Sequence, residues 1–170
     1  GRLVVLPALP EFTRRYPQIV LEIGLNDRPV DLIREGVDCV IRAGLTVDDS
    51  LVARPLVLMD QVTVASPDYL RAHGIPHTVA DLSGHLMVEY FSGVSGKRYG
   101  LEFEQGPDVQ LVNLAKQVSV NSAEGYLAAC VAGYGLVQAP HYHVAQWVRE
   151  GRLQEVLSEC LPPPLALTAL

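Results

Sequence analysis

Residues 17–44 read PQIVLEIGLNDRPVDLIREGVDCVIRAG and contain the pattern that decides the fold. Ile19 to Leu25 is an apolar run rich in β-branched residues, which predicts a strand. A short helix is predicted over Val30 to Glu35, and Val37 to Gly44 is the next predicted strand. Strand, helix and strand within about 25 residues predict a βαβ unit, which packs as a right-handed parallel crossover.

The chain on both sides of this unit continues the mixture of helices and strands. Apolar residues three or four apart predict an amphipathic helix over Leu3 to Tyr16. The clearest helix is predicted over Asn121 to Gly133, with Asn121 as its cap and Glu124 completing a capping box. Further strands are predicted at 50–58, 61–65, 86–91, 99–103, 109–112, 117–120, 136–140, 153–157 and 165–170, and further helices at 69–73 and 144–150.

Composition narrows the class of protein. Hydrophobic residues make up 49% of the 170 residues and charged residues 19%, which is enough for a core and unlike a disordered segment. The net charge of -6 argues against this chain by itself binding a phosphate backbone. No apolar run reaches the roughly 18 residues that a membrane span needs. Cys39, Cys130 and Cys160 are far apart, which favours a reducing compartment and predicts a cytoplasmic protein.

Three polar positions are candidate ligand contacts. The amide groups after Asn121 and Ser122 open a helix, where a carboxylate or similar anion is favoured, although both residues could simply cap that helix. Asn26 ends a predicted strand, where ligands bind in open α/β sheets, or it is an ordinary turn residue. Gln138 lies in an apolar strand, and its amide needs partners, which could be a ligand or backbone groups.

No catalytic set emerges from the motifs. The segment 93–97, GVSGK, lacks the glycine spacing of a nucleophile elbow or a phosphate loop. His141 and His143 would share one face of a strand and could hold a metal, but they lack a nearby cysteine or carboxylate and are otherwise exposed polar side chains. We therefore predict no catalytic residue, no metal and no cofactor.

A series of motifs resembles a known family. In order, they are FTRRYP at 12–17, NDRPVDL at 26–32, EGVD at 35–38, IRAG at 41–44, SLVARPL at 50–56, ASPDYL at 65–70, AGYGLVQAP at 132–140 and GRL at 151–153. Together they resemble the effector-binding domain of LysR-type transcriptional regulators. The resemblance extends over nearly the whole chain, and the series is far more specific than any one motif.

The resemblance implies an α/β fold similar to the type II periplasmic-binding-protein fold, with two α/β lobes joined by two crossover strands. These crossovers would be Gln61 to Ala65 and Leu136 to Pro140. Lobe I would comprise 1–62 plus 141–170, and lobe II would comprise 63–140. The effector would lie between the lobes, in contact with Asn26, Arg42, Ser66, Phe91, Ser92, Asn121, Ser122 and Gln138.

The resemblance also implies partners. They are a small, anionic effector and a second protomer, in a homodimer or a tetramer, with the helix Leu3 to Tyr16 at the interface. DNA would be contacted only through an N-terminal winged helix-turn-helix, which this chain lacks together with the opening strand of the domain. No membrane contact is expected.

Two other functions remain open from sequence. A solute-binding protein that serves a transporter would have the same fold, and an upstream secretory signal would favour it. An enzyme on the same scaffold is the third alternative, because fold does not fix function. Turnover of a bound ligand would favour the enzyme.

Overall fold

The computed structural model describes residues 1–28, 32–44 and 52–170. The helices are α1 (Val5–Arg15), α2 (Leu32–Glu35), α3 (Pro67–His73), α4 (Ala123–Val131) and α5 (His141–Arg149), with a 3-10 helix at Val79–Leu82. The strands are β1 (Ile41–Ala43), β2 (Arg54–Met59), β3 (Gln61–Ala65), β4 (Glu89–Phe91), β5 (Arg98–Tyr99), β6 (Leu101–Gln105), β7 (Asp108–Val112), β8 (Ser119–Val120), β9 (Val137–Pro140), β10 (Gln154–Val156) and β11 (Leu165–Ala169).

The described residues fall into two regions. We call residues 61–160 the body, and the described residues of 1–59 together with 165–170 the platform. The platform contains one sheet in the order β1-β11-β2, in which β11 pairs antiparallel with both neighbours. The last strand of the chain is therefore the central strand of this sheet.

The predicted βαβ unit at 17–44 is wrong in two respects. Residues 19–26 form neither helix nor strand, and β1 pairs antiparallel with β11 instead of parallel with a preceding strand. Val20 is 95% exposed, so the apolar run has no neighbouring strand against which to pair or pack. The helix of this unit is observed at Leu32–Glu35, and positions 29–31 of the prediction lie outside the described residues.

The body is centred on an antiparallel sheet in the order β10-β3-β9. Val64 and Val137 pair on β3 and β9 and lie, fully buried, in a cluster with Leu127 of α4 and Val144 of α5. A second cluster forms on the other side of the same strands, around Leu82, Phe103 and Leu136. Both predicted crossovers thus lie side by side in the middle of the core.

A small sheet and a hairpin extend from this core. β4 pairs parallel with β8 and antiparallel with β5, and β6 pairs with β7. Gly135 joins the small sheet to β9 at a tight approach, because a Cβ there would lie 2.5 Å from the carbonyl oxygen of Leu86. Its φ of +139° also favours glycine. The small sheet is held against the centre of the body by this close backbone contact.

The predicted helices are mostly confirmed, with one correction at the last of them. Helix α1 lies within the predicted range, and Gly133 has the positive φ expected after α4. Helix α5, however, begins at His141 and not at Val144. His141 and His143 are therefore two apart on a helix, where they do not share a face as they would on a strand.

Helix α5 and strand β10 both contact the centre of the body. Val144 and Leu153 join the cluster around Val64, and β10 pairs with β3. The division between the lobes at residue 141 stays a prediction.

Candidate functional site

The N-terminus of α4 is the centre of the candidate site. Ser122 is its cap, because the Ser122 hydroxyl oxygen accepts a hydrogen bond from the Gly125 amide at 3.1 Å. The predicted capping box of Asn121 and Glu124 is therefore wrong by one residue, since Ser122 and not Asn121 has the capping geometry. Asn121 lies just outside the helix, and its side-chain amide has no hydrogen-bond partner among the described residues.

A carboxylate from the platform reaches this helix terminus. The Asp27 Oδ2 atom accepts a hydrogen bond from the Ala123 amide at 2.6 Å. Next to it, the Arg2 guanidinium forms hydrogen bonds to both carboxylate oxygens of Glu124 at 3.1 to 3.3 Å. His143 Nε2 lies 3.8 Å from Glu124 Oε1, and burial lowers the pKa of His143 below its ordinary value. Charged groups of the two regions thus meet at the first turn of α4.

Three tyrosines, Tyr90, Tyr99 and Tyr126, form an aromatic cluster beside this terminus. The Tyr90 ring lies 5.9 Å from each of the other two rings in edge-to-face contacts. Its hydroxyl donates to the Asn121 carbonyl oxygen at 3.4 Å. Burial, followed by the charge of Asp27, raises the pKa of Tyr90, and burial raises that of Tyr126 further. The cluster offers an apolar wall, and the hydroxyl groups of Tyr90 and Tyr126 remain protonated.

The loop at 92–97 closes the site on another side. The Ser92 hydroxyl accepts from the Ser95 amide at 3.2 Å, and the Ser92 amide donates to the Lys97 carbonyl oxygen at 2.8 Å. A Cβ on Gly93 would lie 3.2 Å from the Asn121 side-chain nitrogen, so the loop and the start of α4 are close neighbours. Phe91, just before the loop, lies under the Arg98 guanidinium at 5.9 Å.

A buried carboxylate anchors the strands beneath this loop. Glu89 is 3% exposed, and Arg98, Lys116 and Ser119 all donate hydrogen bonds to it. Burial alone raises the pKa of a carboxyl group, but the hydrogen bonds from Lys116, Ser119 and Arg98 outweigh it and lower the pKa of Glu89 to about 2. Glu89 therefore stays ionised and joins β4, β5 and β8 into one unit.

Gln138 uses its amide within the protein. Its side-chain oxygen accepts from the Glu102 amide at 2.7 Å, and its nitrogen donates to the Glu102 carbonyl oxygen at 2.9 Å and to Thr63 Oγ1 at 3.2 Å. Of the two alternatives for this residue, the structure provides the backbone partners. Gln138 also connects to the aromatic cluster, because its backbone amide donates to the Tyr126 hydroxyl at 3.3 Å.

The structure does not bring every predicted contact residue to one place. Asn26 neighbours Asp27, and Phe91, Ser92, Asn121 and Ser122 surround the terminus of α4. Ser66 is 3% exposed and caps α3 by accepting from the Tyr69 amide at 3.3 Å. Arg42 is half-buried in β1, opposite Thr168. Ser66 lies beside the opposite end of α4, because its backbone forms a hydrogen bond with Cys130. Among the described residues, no hydrogen bond or ion pair joins Ser66 or Arg42 to the start of this helix.

Sequence reasoning missed Asp27 and the tyrosines. Asp27 is 96 residues from Ala123, so no local pattern could reveal that its carboxylate reaches a distant helix terminus. Tyr90 and Tyr126 carried a weak signal, since each lies next to or within a motif already identified as a candidate site. Aromatic residues in strands and helices are usually core residues, and the sequence alone could not separate the two cases.

The arrangement suits binding more than chemistry. Helix-terminal amides, unpaired side-chain amides and tyrosine hydroxyls can hold a polar molecule against an apolar wall. Among the described residues, no three histidine, cysteine, aspartate or glutamate side chains are grouped to hold a metal. A groove of about 390 Å³, lined mainly by apolar residues, runs along α4 beside Trp147 of α5. It shares Glu124 with the site at the start of α4, but none of the eight predicted contact residues lines it. None of the described helices is both long and apolar enough to span a membrane.

Comparison with known proteins identifies relatives over the full length of the chain. A family model described as "LysR substrate binding domain" matches residues 1–170. The chain is 40% identical over 168 residues to the "Uncharacterized HTH-type transcriptional regulator YhjC" of Escherichia coli, covering 99% of this chain and 56% of that protein. An HTH-type transcriptional repressor of Pseudomonas aeruginosa is 34% identical over 159 residues, covering 94% and 50%. The chain thus spans about half the length of these curated relatives.

Solved structures agree in fold. The regulatory domain of CrgA, a LysR-type transcriptional regulator from Neisseria meningitidis, has a TM-score of 0.79 and 26% identity, covering 98% of this chain and 80% of that one. Full-length AphB of Vibrio cholerae, described as a virulence activator, also has a TM-score of 0.79, with 22% identity, covering 98% and 56%. The predicted type II periplasmic-binding-protein-like α/β fold is confirmed by these matches.

Proposed function

We propose, from the premise that this chain belongs to the LysR substrate-binding domain family, that it senses a small anionic effector and transmits its presence to a DNA-binding domain. The family match over residues 1–170 is the observation that carries this proposal. The net charge of -6 is consistent with it, because the DNA contacts of such a regulator would belong to a basic module outside these residues. The domain itself would perform no catalysis and would act in the cytoplasm.

The effector would bind between the loop at 92–97, the aromatic cluster and the start of α4. Asn26 and Asn121 are the strongest of the predicted contacts, because neither side-chain amide has a partner among the described residues. Ser66, Ser92 and Gln138 are weaker candidates, because their side chains already form hydrogen bonds within the protein. Ser66 caps α3, Ser92 accepts from the Ser95 amide, and Gln138 bonds to the backbone of Glu102. Arg42 has no ion pair among the described residues and could supply a cation. It lies, however, in the platform sheet and not beside α4.

Self-association is the second part of the proposal. Helix α1 has no buried residue. Leu6 and Phe12 on the helix, and Leu3 and Tyr16 just outside its two ends, are each between 36% and 40% exposed. An amphipathic helix that buries no apolar face is typical of a helix with a missing partner. A second copy of this chain would cover that face in a homodimer, and a tetramer would need a further interface.

The effector proposal is tested by ligand screening. The unfolding temperature of the chain is measured with a panel of mono-, di- and aromatic carboxylates, with their neutral amides as controls. A true effector at about 100 times its Kd stabilises the fold by about 2.7 kcal/mol. Asn121→Ala should then weaken binding about tenfold, whereas Asn113→Ala, in the loop after β7, should not. Stabilisation by the amides alone, or equal affinity in the two variants, would contradict an anion held at this site.

A further inference from the structure

Two residues of the platform meet two adjacent residues of α4. Asp27 accepts the hydrogen bond of the Ala123 amide, and Arg2 forms the bidentate pair with the Glu124 carboxylate. Arg2 and Asp27 are distant in sequence but close in space, because a Cβ on Gly1 would collide with the Leu25 side chain. The residues just before α1 and those around Asp27 therefore approach the body together.

The charges of the two contacts complement each other. The Ala123 amide is in the first turn, where a helix supplies no internal acceptor, and the helix dipole favours a carboxylate there. Ser122 satisfies only the Gly125 amide, so Asp27 is the acceptor that Ala123 uses. Glu124 adds a negative charge beside it, and Arg2 neutralises that charge. Asp27, Arg2 and the two groups on α4 thus alternate in sign.

Little else in the described chain holds residues 1–28 to the body. Helix α1 buries no side chain, and residues 18–26 are exposed along their whole length. Sheet pairing attaches β1 and β2 to β11, but no strand pairing reaches residues 1–28. The position of this segment therefore depends strongly on the contacts with Ala123 and Glu124.

We propose that Arg2 and Asp27 form a charge latch, which holds residues 1–28 against the first turn of α4 and opens when the two regions move apart. The latch is exposed, and exposed ion pairs are weak, so it can open reversibly without unfolding either region. It rests on the proposed function in one respect only. If an effector anion binds at the start of α4, that anion competes with Asp27 for the Ala123 amide, and binding is coupled to opening.

Amide hydrogen exchange, followed residue by residue by NMR on the 170-residue chain, tests the latch without any effector. The Ala123 amide should exchange about tenfold faster in Asp27→Ala than in the unmodified chain, because its acceptor is gone. The Gly125 amide, which the Ser122 hydroxyl protects, should keep its rate and serves as an internal control for the fold. Fast Ala123 exchange already in the unmodified chain, or no change in the variant, would overturn the proposal.

A second variant tests whether the two contacts act as one unit. Arg2 does not touch Ala123, so independent contacts would leave Ala123 exchange unchanged in Arg2→Gln. A latch predicts that it rises about threefold, because losing one contact loosens the other. Arg14→Gln, at the far end of α1, is the matched control and should have no effect. An equal response of Ala123 to both variants, or to neither, would contradict a coupled latch.

Salt provides an independent measurement. Raising sodium chloride from about 0.01 M to about 1 M shortens the Debye length from about 30 Å to about 3 Å, which weakens exposed charge contacts. Ala123 exchange should accelerate severalfold across this range while Gly125 exchange stays constant. Salt-independent Ala123 exchange would show that charge does not hold the segment. A failed ligand screen would instead contradict the proposed function and leave these exchange results unaffected.

Discussion

The body and the platform differ in how far their apolar side chains are buried. In the described part of the chain, the buried apolar side chains that form the core clusters lie between Val64 and Leu157, within the body. The platform carries apolar side chains that are largely exposed, such as Val57 and Leu58 on β2 and Ile41 on β1. The body therefore has a buried apolar core, whereas the platform exposes apolar surface of the kind that is typical of an interaction site.

This difference separates two roles within one fold. The body positions the candidate site through contacts beside its core, including the hydrogen bonds to the buried Glu89 carboxylate and those of the half-buried Gln138 amide. Among the described residues, the hydrogen bonds and ion pairs from the platform to the site come from exposed charges at the first turn of α4. The body side of the site is held by many contacts and the platform side by few. Such a site is suited to a movement of the platform relative to the body.

The same substitution in both regions should give very different losses of stability. Phe103→Ala in the body removes a ring that is 1% exposed, and we expect the free energy of unfolding to fall by about 3 to 5 kcal/mol. Phe12→Ala on α1 removes a ring that is 38% exposed, and we expect a loss of about 1 kcal/mol or less in the monomer. Urea unfolding at low protein concentration measures both.

A large loss for Phe12→Ala at low concentration would break the comparison. It would mean that α1 is packed within a single chain in solution. A loss that appears only at high protein concentration would sharpen the comparison, because it would place the missing contact in a second copy.

Within the body, the second largest effect should come from Glu89→Gln. The variant leaves Arg98 and Lys116 without a negative partner at a buried position, and we expect a loss of about 2 to 3 kcal/mol. This is below the range for fully enclosed pairs, because both cations reach solvent. Glu104→Gln, on the exposed side of β6, is the control and should be neutral. Equal stability of the two variants in urea would show that the cluster does not anchor the small sheet.

The Glu89 contribution should also depend on pH. Its pKa in the folded chain is about 2, below the ordinary value of 4.5, so the folded state binds this proton less readily than the unfolded state. The stabilisation is therefore complete above about pH 4.5 and is lost as the pH falls towards 2. The difference in unfolding free energy between the unmodified chain and Glu89→Gln should shrink across this window. A constant difference would assign the effect of the variant to packing instead of charge.

Self-association should respond to the platform and not to the body. Phe12→Glu places a charge on the exposed apolar face of α1, and we expect the dimer dissociation constant to rise at least about tenfold, or about 1.4 kcal/mol. Val94→Glu places the same charge on an exposed apolar residue of the loop at 92–97 and should leave the constant unchanged. Sedimentation equilibrium measures both. A stronger effect of Val94→Glu would move the interface to the body.

The smallest effect should distinguish the two residues before α4. Ser122→Ala removes the helix cap and should cost about 1 kcal/mol, whereas Asn121→Ala should leave stability nearly unchanged. Thermal unfolding of the two variants measures the difference. Equal losses would mean that Asn121 contributes to the cap after all, as its position in the sequence first indicated.

The elements of the body could be predicted because their signals are local. Strands β3 and β9 follow apolar runs, and α3 begins after a serine cap with a proline at its first turn. The segment at 19–26 has the same kind of composition and yet forms no strand. A strand requires a partner as well as a propensity, and no local pattern reports whether a partner is present.

The candidate site could be predicted only in part for the same reason. Asn121 and Ser122 were found because a helix start is visible in sequence. Asp27 and Arg2 were not, because their partners on α4 are about a hundred residues away. Asn121 and Ser122 are both residue types that cap helices, so the sequence does not show which of them is the cap. The backbone conformation of Ser122 decides it.

The central place of β11 in the platform sheet determines when that sheet can form during translation. Strand β2 ends at Met59, but its neighbour β11 begins at Leu165, after the whole body has been synthesised. At about 5 to 20 residues per second, the ribosome needs on the order of ten seconds to make the residues between them. The backbone groups of β1 and β2 that pair with β11 therefore have no partner strand throughout this interval, and we expect chaperones that bind nascent chains to recognise these strands.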